Sequence, residues 1–365
     1  MKIGVITYWN SKDNYGQQLQ MFALQECLRS LGHDCFLIRY DHSLDKIKRK
    51  FLNYFKPSSW IRFFKRIKKE KTLLVEPEDY RDRFFDKFRE KYIAYSPEVY
   101  SIDMLRISPP LADVYMTGSD QVWRNPIDAY FLNFGPKCVR RIAYAASFGL
   151  SLNDYNRHTL KLMKKLIKRI DQVSVREKDA IQICEALEYS NAKNVLDPTM
   201  LFSGDYYVNK FGLGQKKKEK YCLIYYLGVS ELLPVDRIDE FAKKNGLEPI
   251  YIGAHGQAMG YSKVYPTIEE WVDLIKNAEF VVTNSFHGTV FSILLHTNFC
   301  SVPGKNSNNR FCSLLTQVNA VNHLYKEGTD LSKYFFDSLD FDVIDNKIGA
   351  LRAESMLFVK EALYV

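Results

Sequence analysis

The sequence has no apolar run near the roughly 18 residues that a membrane-spanning helix needs; its stretch Phe291–Leu295 is far shorter. It has only seven cysteines, at 27, 35, 138, 184, 222, 300 and 312, with no CxxC pair among them. An odd, scattered set reads as reduced thiols and offers a structural zinc site no ligand pattern, so no metal is expected. Neither GxGxxG nor GxxxxGK[ST] occurs, which disfavours a standard dinucleotide or P-loop site. The N-terminus has a brief apolar run that breaks at Tyr8-Trp9-Asn10, a strand pattern rather than a secretion signal. Together these traits predict a cytoplasmic protein. No repeat of solenoid period is visible.

What is present is an ordinary globular composition. The chain has 365 residues, 46% hydrophobic and 26% charged. At about 150 residues per domain, this length suggests two domains. The net charge of +8 is unevenly spread. Residues 45–71 hold eleven Lys and Arg against Asp45 and Glu70, a net of +9, so the rest of the chain sums to −1. Trp60, Phe63, Phe64 and Ile67 in that segment fall on one face of a helix. A basic helix with an aromatic face can lie on an anionic membrane surface. It can equally pack its aromatics on the protein body and solvate its lysines. Nucleic acid has only charge in its favour and no recognised module, so none is expected as a partner.

The pattern along the chain is α/β. Lys2–Thr7 reads as a strand, about Gln17–Ser30 as an amphipathic helix, and Cys35–Tyr40 as a second strand. This βαβ unit predicts a parallel sheet with a right-handed crossover. Further strands are expected at Asp113–Thr117, Arg141–Ala146, Gln172–Val175 and Asn194–Leu196. Helices are expected at about Pro77–Tyr92, Asn153–Ile170 and from Arg176 to Leu187. Residues 203–220, with three glycines and a lysine-rich run, look like a flexible boundary. Beyond it come strands at Tyr221–Leu227, Pro249–Ile252, Glu279–Thr283 and Phe299–Val302. Helices fall at Thr267–Asn277, where a capping box starts the first turn, and at Thr289–His296; the tail, about Ile344–Leu363, is helical. The expected architecture is therefore two Rossmann-like domains facing a cleft, with a C-terminal helix closing the fold. The N-terminal domain takes 1–202, with the basic insert at about 45–71. A linker follows at 203–220, the C-terminal domain at 221–340, and the closing helix at 341–365.

In open α/β sheets, ligands bind beyond the carboxyl ends of the strands. Those ends carry unusual residues here. The sharpest is Ser285-Phe286-His287-Gly288-Thr289, where a buried strand runs into a helix start. Unpaired N–H groups there suit an anion, Gly288 allows close backbone approach, and His287 can hold a phosphate or move a proton. The alternative is a helix cap with an incidental histidine. Arg176 directly follows an apolar strand; it either grips a carboxylate or phosphate, or pairs with Glu177 or Asp179. Asp120, which ends the glycine turn after Gly118-Ser119, either caps the next helix or acts as a base. Gly16, after Asn14-Tyr15, resembles a phosphate-approaching turn. Lys305 and Arg310 lie on a loop that could add positive charge to the same pocket. His255 is a weaker candidate of the same kind.

At these residues the sequence resembles the polysaccharide pyruvyl transferase family. The matching stretches are Asn14-Tyr15-Gly16-Gln17-Gln18-Leu19-Gln20, Gly118-Ser119-Asp120-Gln121-Val122-Trp123, Ser174-Val175-Arg176-Glu177, Asp197-Pro198-Thr199 and Thr283-Asn284-Ser285-Phe286-His287-Gly288-Thr289, in the family's order. The resemblance implies a GT-B-like fold. It implies transfer of pyruvate from phosphoenolpyruvate, the donor substrate, onto two hydroxyls of a sugar as a ketal, with no cofactor. It places His287, Arg176 and Asp120 in catalysis, and Asn14, Tyr15, Gly16, Gly118, Ser119, Ser285, Gly288, Thr289, Lys305 and Arg310 in substrate binding. The acceptor would be a surface-polysaccharide repeat unit or a lipid-linked precursor, which would bring the basic segment to the inner face of the cytoplasmic membrane. Some members carry an arginine two residues before the histidine; here that position is Ser285, and Lys305 and Arg310 are the candidates to supply the charge. Two other readings share these features: a GT-B glycosyltransferase using a nucleotide-sugar, and a non-enzymatic assembly protein at the membrane.

Overall fold

A computed structural model describes residues 1–45, 82–215, 219–228, 230–253, 263–304 and 308–364. The basic run 46–71, Lys305 and His255 therefore lie outside the described residues.

The first half of the chain builds one sheet. Its elements are β1 (Lys2–Ile6), α1 (Tyr15–Ser30), β2 (Asp34–Tyr40), α2 (Phe85–Tyr92), β3 (Tyr95–Tyr100), α3 (Ile102–Ile107), β4 (Val114–Thr117), β5 (Arg140–Ala146), α4 (Arg157–Ile167), β6 (Gln172–Val175), α5 (Ala180–Ala186) and β7 (Lys193–Asn194). The strands pair in the order β3-β2-β1-β4-β5-β6-β7, all parallel. The order reverses between β1 and β4, which opens a crevice at their carboxyl ends.

After α6 (Gly204–Lys210), the second half repeats the scheme. It holds β8 (Tyr221–Tyr226), α7 (Val235–Lys244), β9 (Glu248–Gly253), α8 (Ile268–Asn277), β10 (Phe280–Thr283), α9 (Phe286–Leu294), β11 (Phe299–Ser301), α10 (Asn308–Gln317), α11 (Ser332–Phe336) and α12 (Phe341–Tyr364). Its four strands are parallel in the order β11-β10-β8-β9, with the reversal between β8 and β10. Every residue of β8 is buried, as in a sheet covered by helices on both faces.

Three expectations need correction. Residues 203–220 do not form a flexible stretch throughout: Ser203 caps α6 by accepting from the Tyr206 N–H. A Cβ on Gly204 would stand 2.0 Å from the Leu294 carbonyl oxygen, so α6 packs directly on the end of α9. The helix expected from Thr289 starts three residues earlier, because Ser285 caps it by accepting from the Gly288 N–H. Finally, β3, α3, α7, α10 and α11 were not among the expected elements. β3 carries Pro97 and Glu98, which an edge strand tolerates because its outer side needs no ladder.

The closing helix does what its position suggests. Ile344 and Ile348 of α12 join an apolar cluster shared by both halves. Its other end, through Phe358, Val359, Ala362 and Leu363, packs with Ile3, Val5 and Leu24 of the first half. Midway, the Ser355 hydroxyl accepts from the Leu196 N–H at 3.0 Å and donates to the Leu351 carbonyl. Ser355→Ala would strand that buried N–H, and a loss of about 1–3 kcal/mol is expected in urea unfolding.

Candidate active site

The two crevices meet. Asn14 caps α1 by accepting from the Gln17 N–H at 3.1 Å. The next residue, Tyr15, is fully buried and reaches into the second half. Its ring stacks on Trp271 at 5.2 Å, and its hydroxyl donates to the Pro266 carbonyl at 2.7 Å. Gly16 follows, and it has no room for a side chain: a Cβ there would lie 2.1 Å from His287 Nδ1. The start of α1 is thus pressed onto the His287 imidazole at the start of α9. Gly16 serves this contact rather than a phosphate approach. Gly16→Ala must push the imidazole or the helix away; a cost of about 1–3 kcal/mol in stability, with loss of activity, is the expected result in paired melting and turnover assays.

His287 is the second residue of α9 and is 6% exposed. Its Nε2 faces the first half, 3.6 Å from Asp197 Oδ2, and has no hydrogen-bond partner. Asp197 is buried, and both of its oxygens are in use. Oδ1 accepts from the Thr199 N–H and hydroxyl at 3.0 and 2.7 Å. Oδ2 accepts from Ser119 Oγ at 2.8 Å and Arg176 Nη1 at 3.1 Å. Burial alone would raise this carboxyl's pKa. The neighbouring His287 and Arg176 side chains and the Thr199 hydrogen bond outweigh it and hold the carboxyl well below its usual range.

Arg176, directly after β6, is the cation of this network. Its Nε donates to Glu177 Oε1 at 2.9 Å, and its guanidinium lies 4.1 Å over the Phe286 ring. Glu177 Oε1 also accepts from Ser147 Oγ at 2.8 Å. The pairing with Glu177 expected as an alternative is therefore present, and Asp197 rather than Asp179 is the second acid. Burial works against the guanidinium charge, but Glu177, Asp197 and Asp120 together hold its pKa above the ordinary value. One arm, Nη2, remains buried and unpartnered.

A family model for polysaccharide pyruvyl transferases matches residues 14–306, which spans all of these groups. The chain belongs to the polysaccharide pyruvyl transferase family. No curated protein matches its sequence. Its fold resembles solved UDP-GlcNAc 2-epimerases. The enzyme from Methanocaldococcus jannaschii aligns at 12% identity and TM-score 0.55 over 100% of both chains. The one from Neisseria meningitidis, bound to UDP-GlcNAc, aligns at 9% identity and TM-score 0.51 over 100% of this chain and 99% of that one. A putative epimerase from Listeria monocytogenes aligns at 11% identity and TM-score 0.54 over 100% and 96%. At these identities the likeness is one of fold, a GT-B-type pair of α/β halves.

Within this member of the family the remaining motif residues divide. Asp120 sits beyond β4 with φ 76°, a left-handed conformation unusual for a residue with a side chain. Its Oδ1 accepts from the Gln121 N–H at 2.8 Å, so it caps a turn and no helix follows it. The Tyr8 hydroxyl is pushed up to about 12 by burial, with Asp120 adding to it. Arg310, on α10, has a buried Nε without a partner; burial first, then the charge of Arg176, draws its pKa down. Ser119 joins the network through Asp197.

Others are structural. A Cβ on Gly118 would meet Leu24 Cδ2 at 3.2 Å, and one on Gly288 would meet Thr283 Oγ1 at 2.4 Å. Gly288 is therefore small to seat α9 on β10, not to approach a substrate. Thr289 is spent on Ser301 Oγ at 2.6 Å, and Ser285 on its helix cap. Three residues of this buried arrangement were given no role in the sequence. Asp197 and Glu177 stand inside quoted motifs, so acids flanking the strand ends were the available signal. Arg83, discussed below, gave no signal.

Proposed function

We propose that this protein transfers pyruvate from phosphoenolpyruvate to a sugar as a ketal. The observation that carries the reading is a set of buried, unpartnered donors. Arg176 Nη2 and His287 Nε2 are left open beside one ionised carboxylate, Asp197, and Arg310 Nε is left open where the charges of Arg176 and Glu177 reach it. Buried donors are normally satisfied, and such orphans invite a ligand rich in acceptor oxygens. Phosphoenolpyruvate carries a phosphate and a carboxylate, which match these groups.

The chemistry balances without a redox step. A proton reaches the donor's methylene carbon, making a methyl group, and its neighbouring carbon becomes oxocarbenium-like. One sugar hydroxyl adds there and loses its proton. The C–O bond to phosphate breaks, and a second hydroxyl closes the ketal. Of the two protons the diol gives up, one replaces that spent on the methyl carbon and the other leaves with phosphate. His287 gives the proton or holds the phosphate through Nε2, Arg176 holds phosphate or carboxylate through Nη2, and Arg310 adds charge. Asp120 faces the acceptor hydroxyl. The acceptor class we propose is a polysaccharide repeat unit or its lipid-linked precursor. The basic segment would bring the protein to the anionic inner face of the cytoplasmic membrane. That part rests on the sequence, and co-sedimentation with anionic vesicles at low salt tests it.

Donor binding tests the site directly. Phosphoenolpyruvate at 100 times its Kd should stabilise the protein by about 2.7 kcal/mol in thermal melts. UDP-GlcNAc should not. The opposite pattern would move the assignment to a nucleotide-sugar enzyme.

A further inference from the structure

Arg83 is 2% exposed, yet no carboxylate pairs with it among the described residues. Its fork instead joins the two halves. Nη1 donates to the Asp13 carbonyl at 3.3 Å, in the turn before α1. Nη2 donates to the Gly253 carbonyl at the carboxyl end of β9. The guanidinium lies 5.4 Å from the ring centres of both Tyr15 and Tyr265, and Nε is buried without a partner. A buried charge that no carboxylate among the described residues neutralises is costly, and its position here needs a reason.

We propose that Arg83 is a positioning residue that sets the His287 imidazole by clamping the Asp13–Gly16 turn to the second half. This rests on the reading that places His287 in the transfer site. The connection is short and physical. Arg83 holds Asp13 and covers Tyr15; Gly16, the next residue, is packed directly against the imidazole. If the clamp goes, the turn can lift, and His287 loses the wall that fixes its ring opposite Asp197. A planar fork suits this task. Lysine offers one point charge and cannot bridge two carbonyls while lying flat between two rings.

The test uses the full chain with Arg83→Gln and Arg83→Lys. Two readouts are taken: modification of His287 by diethyl pyrocarbonate, and steady-state turnover of phosphoenolpyruvate. In R83Q, His287 should be modified at least about fivefold faster than in the wild type, through local opening of the turn. Its kcat should fall about 10-fold or more with the donor KM moving within about twofold, since misplacement rather than binding is lost. R83K should lie between the two. If R83Q does not fold, R83K carries both measurements. Unchanged labelling of His287 in the folded variant overturns the proposal, whatever the activity. Faster labelling in a protein that turns over no phosphoenolpyruvate would keep the clamp and reject the transferase reading.

Discussion

His287→Ala is expected to lower kcat for phosphate release by about 10²–10⁴-fold, the range for losing one acid–base group. The protein should remain folded, because the substitution removes a ring from a crowded contact with Gly16 and leaves the Ser285 cap intact. The donor KM decides between the two roles open to the imidazole. If His287 gives the proton, KM stays near the wild-type value while kcat falls. If it mainly holds the phosphate, KM rises as well. Near-full turnover in the alanine variant would remove His287 from the mechanism.

Asp197→Asn is expected to cost about 3–5 kcal/mol of stability near neutral pH, the range for breaking a buried ion pair by removing one partner. The variant leaves Arg176 with Glu177 alone and takes the carboxylate from beside His287. The effect has a pH signature. An unperturbed aspartate titrates near about 3.9. In the folded protein Asp197 is held well below that. Its contribution is therefore complete above the unfolded value and is lost only as pH falls through the depressed folded one. Urea midpoints of variant and wild type should lie far apart at neutral pH and draw together in strong acid. Equal midpoints at neutral pH would mean that the network does not hold the halves as described.

The strand ends were legible because they contrast with what precedes them. An apolar run that stops at Gly118-Ser119-Asp120 or at Arg176-Glu177 marks a sheet edge facing a crevice. The capping box at Thr267 and Glu270 likewise forms as its spacing predicts. Partnership across the crevice was not legible. Nothing local to Asp197-Pro198-Thr199 says that the carboxylate meets Ser119, Arg176 and His287. Glycine misled in a specific way. Gly16 and Gly288 looked like backbone making room for a ligand, but they make room for His287 and Thr283. A missing Cβ reports close approach without saying of what. Arg83 was hidden for a related reason. It stands in a stretch of mixed charge with Asp82 and Asp86, where one more arginine carries no signal, and only the fold reveals that it is buried between two backbone carbonyls.

The most direct test of the account is product formation. The full-length protein is incubated with phosphoenolpyruvate and a panel of soluble and lipid-linked sugar acceptors, with phosphate release followed and the sugars weighed by mass spectrometry. The account predicts stoichiometric phosphate release and an acceptor heavier by pyruvic acid less one water, with both signals lost in the His287→Ala variant. Sugar transfer from a nucleotide-sugar by the same preparation, without reaction of phosphoenolpyruvate, would contradict it.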